Sequence, residues 1–295
     1  MDIKNADLLH KCLFTFLLLS LTVISYAQNP WIEKKGSIYV SVNFSNISYD
    51  DIFNNEGEGL ENTFETNDRT LSLYAQYSLS HKTAMNVELP YKLVNVDGNS
   101  LSAIGDLRFQ LKHELMQKFP LTAFASYSIP TGTRDGVLRT GYVQHSIDGG
   151  LSTGFASGSN FAYLGAGFRY RNEIPNQFIL DAEFGTKAYI GKKCLYLILH
   201  VDGALNFSEI EDPEADQSVL YHSNAEFLSP GIKLGLYLSD RLWLNVGTYG
   251  AIIAKNLAAA PSISIGVAWK LSKKEDGSIL ELSIPDPLES KPFGI

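Results

Sequence analysis

Two places in the chain set a histidine beside a serine, His145 with Ser146 and His222 with Ser223. A serine nucleophile needs its base on the same side of the wall that carries it, and neighbours on a strand point to opposite faces. Neither pair can assemble that way, so no catalytic residue and no enzyme activity is expected. No histidine and cysteine cluster has zinc spacing, and neither Gly132 nor Gly165 with Gly167 makes a phosphate loop, so no metal or cofactor is expected. Two acidic stretches remain: Asp50, Asp51, Glu56, Glu58, Glu61 and Glu65 in one, and Glu209, Glu211, Asp212, Glu214 and Asp216 in the other. They lack EF-hand spacing and read as solvated loops, with a divalent cation bridging them to lipopolysaccharide or to each other as the alternative.

The charges with the most informative spacing lie elsewhere. From Asp106 to Leu115, the residues Asp106, Arg108, Gln110, Lys112 and Glu114 alternate strictly with Leu107, Phe109, Leu111, His113 and Leu115. Such a period of two is a strand with one charged and one apolar face. The pattern recurs about a dozen times between Gly36 and Leu271, and several repeats reach the roughly ten residues that a tilted strand needs to cross a bilayer.

Connection lengths separate a membrane barrel from a soluble sandwich. Short links around Ser80 to Lys82, Gln117 to Phe119, Ser157 to Asn160, Gly191 to Lys193 and Ser239 to Arg241 alternate with long ones at Tyr49 to Arg69, Val94 to Ile104, Pro130 to Tyr142 and Ser208 to Ala225. Outer-membrane barrels keep long loops outside the cell and short turns in the periplasm. The expected fold is therefore all-β: an antiparallel transmembrane β-barrel of about twelve strands in the outer membrane, with both termini in the periplasm.

If the apolar set faces lipid, the opposite set lines the lumen: Glu88, Asp106, Arg108, Gln110, Lys112, Glu114, Asp181, Glu183, Lys187, His200, Asp202 and Lys233. Pro90 and Pro230 remove ladder donors and are expected to mark bends or strand ends. Tyr127, Tyr237, Trp243, Tyr249 and Trp269 fall near strand ends, where membrane-interface girdles place amphipathic rings, with a ligand-stacking set as the alternative. His113 is a polar ring on the lipid face, near the periplasmic end.

The beginning of the chain shows Lys4 and Lys11, an apolar run from Cys12 to about Ile24, and small residues up to Ala27. This is a secretory signal peptide cut after Ala27, leaving a barrel over 28–271 and a periplasmic tail over 272–295. Cys194 is the only mature cysteine, which excludes an intrachain disulfide. With a net charge of −8, nucleic acid is not an expected partner. The expected surroundings are outer-membrane lipid and lipopolysaccharide.

Ile104, Gly105, Asp106, Leu107 to Lys112, the strand Ala123 to Ile129, and Pro130, Thr131, Gly132 resemble outer-membrane transporters of the phenol-degradation meta-pathway type, distantly similar to FadL long-chain fatty-acid channels. The signal ending in Ala27 and Gln28 looks like those of Bacteroidetes exported proteins. The resemblance implies diffusive uptake of small, often hydrophobic compounds. FadL-type channels have about fourteen strands and an N-terminal hatch, whereas here only Gln28 to Lys35 precede the first strand, so no ligand residue carries over. The functional expectation is a passive channel for a small, hydrophobic solute. The alternative is a closed structural or surface-binding barrel without transport.

Overall fold

A computed structural model describes residues 29–116, 119–136, 138–190, 193–209, 221–239 and 241–271. The leader expected over 1–27, the tail expected over 272–295 and residues 210–220 of the second acidic loop lie outside the described residues. In chain order the strands are β1 (Ile38–Phe53), β2 (Gly59–Ser78), β3 (Thr83–Val96), β4 (Asn99–Ile104), β5 (Leu107–Met116), β6 (Leu121–Ile129), β7 (Arg134–Asp135), β8 (Leu138–Arg139) and β9 (Ser146–Ser157). They continue as β10 (Asn160–Arg171), β11 (Gln177–Ile190), β12 (Lys193–Asn206), β13 (Glu226–Ser239), β14 (Leu242–Tyr249), β15 (Ile253–Lys255), β16 (Leu257–Ala258) and β17 (Ser262–Leu271).

Twelve of these, namely β1, β2, β3, β5, β6, β9, β10, β11, β12, β13, β14 and β17, pair antiparallel in a ring. The ring closes where β1 meets β17, from Ile38 opposite Leu271 to Asn46 opposite Ile263. Closure leaves no wall strand with an unpaired edge, the condition for a sheet to stand in hydrocarbon.

The alternation read from the sequence sets the two faces. Along β5, Phe109, Leu111 and Leu115 are exposed outward, while Arg108, Gln110 and Lys112 are buried inward. Leu71, Leu73, Ile147, Leu151, Leu164, Phe168, Leu199 and Ile265 continue the exposed apolar band around other strands. In water a patch of that size is a liability; against lipid it is the ordinary surface. His113 faces outward, where its Nδ1 lies 3.0 Å from the Thr83 hydroxyl, so the polar ring has a partner on the lipid side.

Both prolines lie inside strands instead of ending them. Pro90 pairs with Ser72 and sits where β3 exchanges β5 for β4 as its other neighbour: Glu88 still faces Arg108, and Tyr91 already faces Ile104. Pro230 likewise marks the handover on β13 from β15, which reaches Leu228, to β14, which begins at Gly231. A residue without an N–H is tolerated where a ladder changes partner, and the strand continues past it.

The connection expected as a loop over Tyr49 to Arg69 is largely an extension of the β1 and β2 hairpin, which turns only at residues 54–58. Val94 to Ile104 similarly holds a hairpin of β3 and β4, turning through Asp97 and Gly98, both at positive φ. Above the bilayer these strands no longer need an apolar outer face, so their sequence loses the alternation while the backbone keeps its ladder.

Candidate functional site: the barrel interior

The interior side chains fall into three tiers. In the outer tier, Arg108 donates to Asp148 at 2.6 Å and to the Ser126 hydroxyl at 3.2 Å, while Arg169 reaches the same carboxylate at 2.9 Å. Gln110 accepts from Asn86 at 2.6 Å and donates to Ser126. Across β2 and β3, Lys92 pairs with Asp68 at 3.1 Å. Glu88 stands in register between Tyr74 and Arg108.

The middle tier gathers Asp181, Glu183, His200, Asp202 and Lys233 from β11, β12 and β13. Lys233 is ion-paired with Glu183, His200 Nδ1 lies 3.3 Å from Asp202, and Tyr163 hydrogen-bonds both oxygens of Asp181 at 3.1 Å. Gly231, opposite His200, gives the imidazole its space, since a Cβ there would overlap the ring. Phe124 from β6 lies over Gly150 and Gly167 and joins Ile179, Ala204 and Phe227 in a small apolar cluster.

The lower tier is aromatic. Tyr237 stacks on Trp243 at 5.5 Å, and contacts run on one side through Tyr196 to Phe161 and on the other through Tyr39 to Tyr74. This corrects the girdle assignment. Tyr237, Trp243 and Tyr249 point inward, Trp243 standing in register with fully buried Ala268 and Tyr249 lying 6.0 Å from His200, while Tyr127 and Trp269 are outward. Position near a strand end suggested the girdle, and parity along the strand decides the face. Lys187 also belongs to this tier, with its ammonium 5.3 Å from the Tyr196 ring centre, and Glu114 sits half-buried near the short-turn end of β5.

Segments of the chain reach into both ends. At the short-turn end, residues 29–33 run into the interior: Lys112, wholly buried, donates to the Asn29 carbonyl at 2.9 Å and its Oδ1 at 3.2 Å, and lies 3.5 Å from the Trp31 carbonyl oxygen. Thr122 donates to the Pro30 carbonyl at 2.6 Å, Trp31 meets Phe161 and Tyr163 edge-on, and Glu33 pairs with Lys270. Residues 29–33, expected to be only a short lead to the first strand, enter the mouth.

At the long-loop end, Asp106 stands beyond β5 and accepts the backbone N–H groups of Gly132 and Val143 at 3.1 Å, so it anchors a loop where a lumen charge was expected. Burial raises its carboxyl above the usual carboxylate range, partly opposed by those backbone donors. Thr140 bonds Ile104 and Thr133, and Leu138 packs on Tyr49 and Val94. Tyr142 and Tyr221 meet edge-on, with Lys92 over the second ring and Arg171 over the first.

The two histidines are engaged in other ways. His145 stacks on Tyr127 and shares a 2.8 Å hydrogen bond with its hydroxyl, and His222 Nδ1 accepts the Asn224 backbone N–H. Among the described residues no group of three or more histidine, cysteine, aspartate and glutamate side chains is arranged to hold a metal.

No family model and no curated protein matches the chain. Among solved structures, an outer membrane channel from Pseudomonas putida F1 superposes with a TM-score of 0.63 at 13% identity, covering 84% of this chain and 100% of that one. The chain has the fold of an outer-membrane β-barrel. More distant likenesses are the translocator domain of autotransporter NalP from Neisseria meningitidis (TM-score 0.49, 10% identity, 80% and 89% covered) and the CymD monoaromatic hydrocarbon channel (0.43, 10%, 81% and 88%). These likenesses concern fold alone.

Within that fold the alternation in β9 and β10 also turns Asp148 and Arg169 inward, two charges the initial residue set omitted although the same parity points to them. Trp31 and residues 29–30 carry no periodic signal, and only the folded chain shows where they go.

Proposed function

We propose that the barrel is a passive channel for small, hydrophobic solutes, with no energy coupling and no covalent chemistry. The observation that carries this reading is that non-covalently held segments, residues 29–33 at one end and residues 131–136 and 138–143 at the other, reach into the mouths while the wall encloses a polar and aromatic interior. Arg108, Gln110, Lys112, Glu114, Glu88, Asp181, Glu183, Lys187, His200, Asp202 and Lys233 would line the path and set its electrostatics once those segments move. The likeness in fold to an outer membrane channel supports it.

The second reading, a closed structural barrel, is favoured by the near-complete burial of Lys112, Asp148, Asp181 and His200. Planar-bilayer recordings and liposome uptake distinguish the two. The channel reading expects stepwise conductance and solute entry that increase when Trp31→Ala loosens the lower stopper; absence of both in wild type and variant would leave the structural barrel.

A further inference from the structure

The lower stopper is held in an unusual way for a fully buried ammonium. The acceptors facing Lys112 Nζ are the Asn29 carbonyl, the Asn29 amide oxygen and the Trp31 carbonyl oxygen, all on the stopper. The Thr122 hydroxyl, on the neighbouring strand, is given to the Pro30 carbonyl. One residue further on, the Trp31 indole lies 6.0 Å from both Phe161 and Tyr163, at the end of the aromatic tier. The segment thus offers an oxygen cluster to a cation and a flat ring to two rings, at a fixed separation.

From this we infer that the Lys112, Thr122, Phe161 and Tyr163 site binds an aromatic carboxylate, and that residues 29–31 are its internal occupant, displaced when the solute arrives. The inference rests on the channel reading and names the class of solute. When residues 29–31 leave, Lys112 loses these three hydrogen-bond acceptors and keeps only the longer-range attraction of Asp181 and Glu33, and an ammonium within the wall without hydrogen-bond acceptors is costly. A carboxylate restores a charge-assisted bond, and a planar ring takes the place of the indole. Asp181 opposes the preference in part, because its oxygens share the single Tyr163 hydroxyl proton and keep their charge, so selectivity for a carboxylate rests on the three acceptors that Lys112 loses with the segment.

The test uses the full mature chain labelled with 5-fluorotryptophan, the Trp31 signal being assigned by Trp31→Phe. Phenylacetate should shift that signal saturably, with toluene and benzylamine weaker by about tenfold or more. Lys112→Met should remove the preference and Lys112→Arg should retain it, heat-modifiable migration confirming that each variant has formed its barrel. Trp31→Ala, which removes the competitor, should tighten phenylacetate binding, read by ligand-observed NMR. Equal responses to toluene or benzylamine, or an unchanged preference in properly formed Lys112→Met, would overturn the site assignment. Liposome uptake of toluene is measured separately: uptake without carboxylate binding refutes this inference and leaves the channel, while binding without uptake or conductance does the reverse.

Discussion

Asp106 shows how one carboxylate can be committed to holding a loop. A Cβ at Gly141 would lie 2.5 Å from its Oδ2, and one at Gly132 would lie 2.8 Å from its Oδ1. Gly141→Ala should therefore push the 131–143 loop off its anchor, at a cost of about 1–3 kcal/mol, and faster tryptic cleavage at Arg134 and Arg139 would show it. The pH dependence has a definite sign. Because the docked carboxyl titrates above its unfolded value, its contribution is fully present below the ordinary carboxylate range and is lost as pH rises through the docked value. Amide-exchange protection of the loop, corrected for intrinsic exchange, should fall as pH rises above the ordinary carboxylate range, and Asp106→Asn should remove that dependence; an unchanged profile in the variant would refute the assignment.

At the scale of elements, Phe124 and the glycines beneath it form a unit. The ring of β6 lies over Gly150 of β9 and Gly167 of β10, where any side chain would collide with it. Phe124→Ala should destabilise the barrel by about 3–5 kcal/mol in urea titrations and, on the channel reading, raise single-channel conductance, since it removes a buried aromatic ring of the interior cluster. On β11 and β13, Lys233→Met leaves Glu183 without its principal cation and should cost about 3–5 kcal/mol. The double variant Lys233→Met with Glu183→Leu should recover much of that in the same assay. These elements also show which information was local. Parity along β5 places Arg108, Gln110 and Lys112 on one face because a strand allows nothing else, and parity along β13 and β14 would have placed Tyr237 and Trp243 correctly had it outweighed proximity to a strand end. The upper hairpins escaped notice because backbone pairing above the bilayer leaves no hydrophobic period. The course of residues 29–33 depends on contacts with β5, β6, β10 and β17, which no local pattern records.

The whole molecule is an inverted globular protein, with aliphatic side chains outside and ion pairs within. Leu111, half exposed near the middle of the outer band, tests this directly. Leu111→Arg should cost about 2–4 kcal/mol in a bilayer, measured by reversible folding into liposomes, while the same change at outward Leu60 in the upper hairpin should cost little. Equal penalties at both positions would mean that the hydrocarbon boundary lies elsewhere.

The ion pair between Glu33 and Lys270 joins the stretch before the first strand to the last strand described. Partners separated by most of the chain can meet only after every intervening hairpin is in place, because non-local pairing pays its loop entropy first. The stopper therefore gains its full set of anchors only at the end of assembly. A barrel arrested before β17 pairs with β1 would lack this clasp, so seating of the lower mouth is a built-in record that the cylinder has been completed.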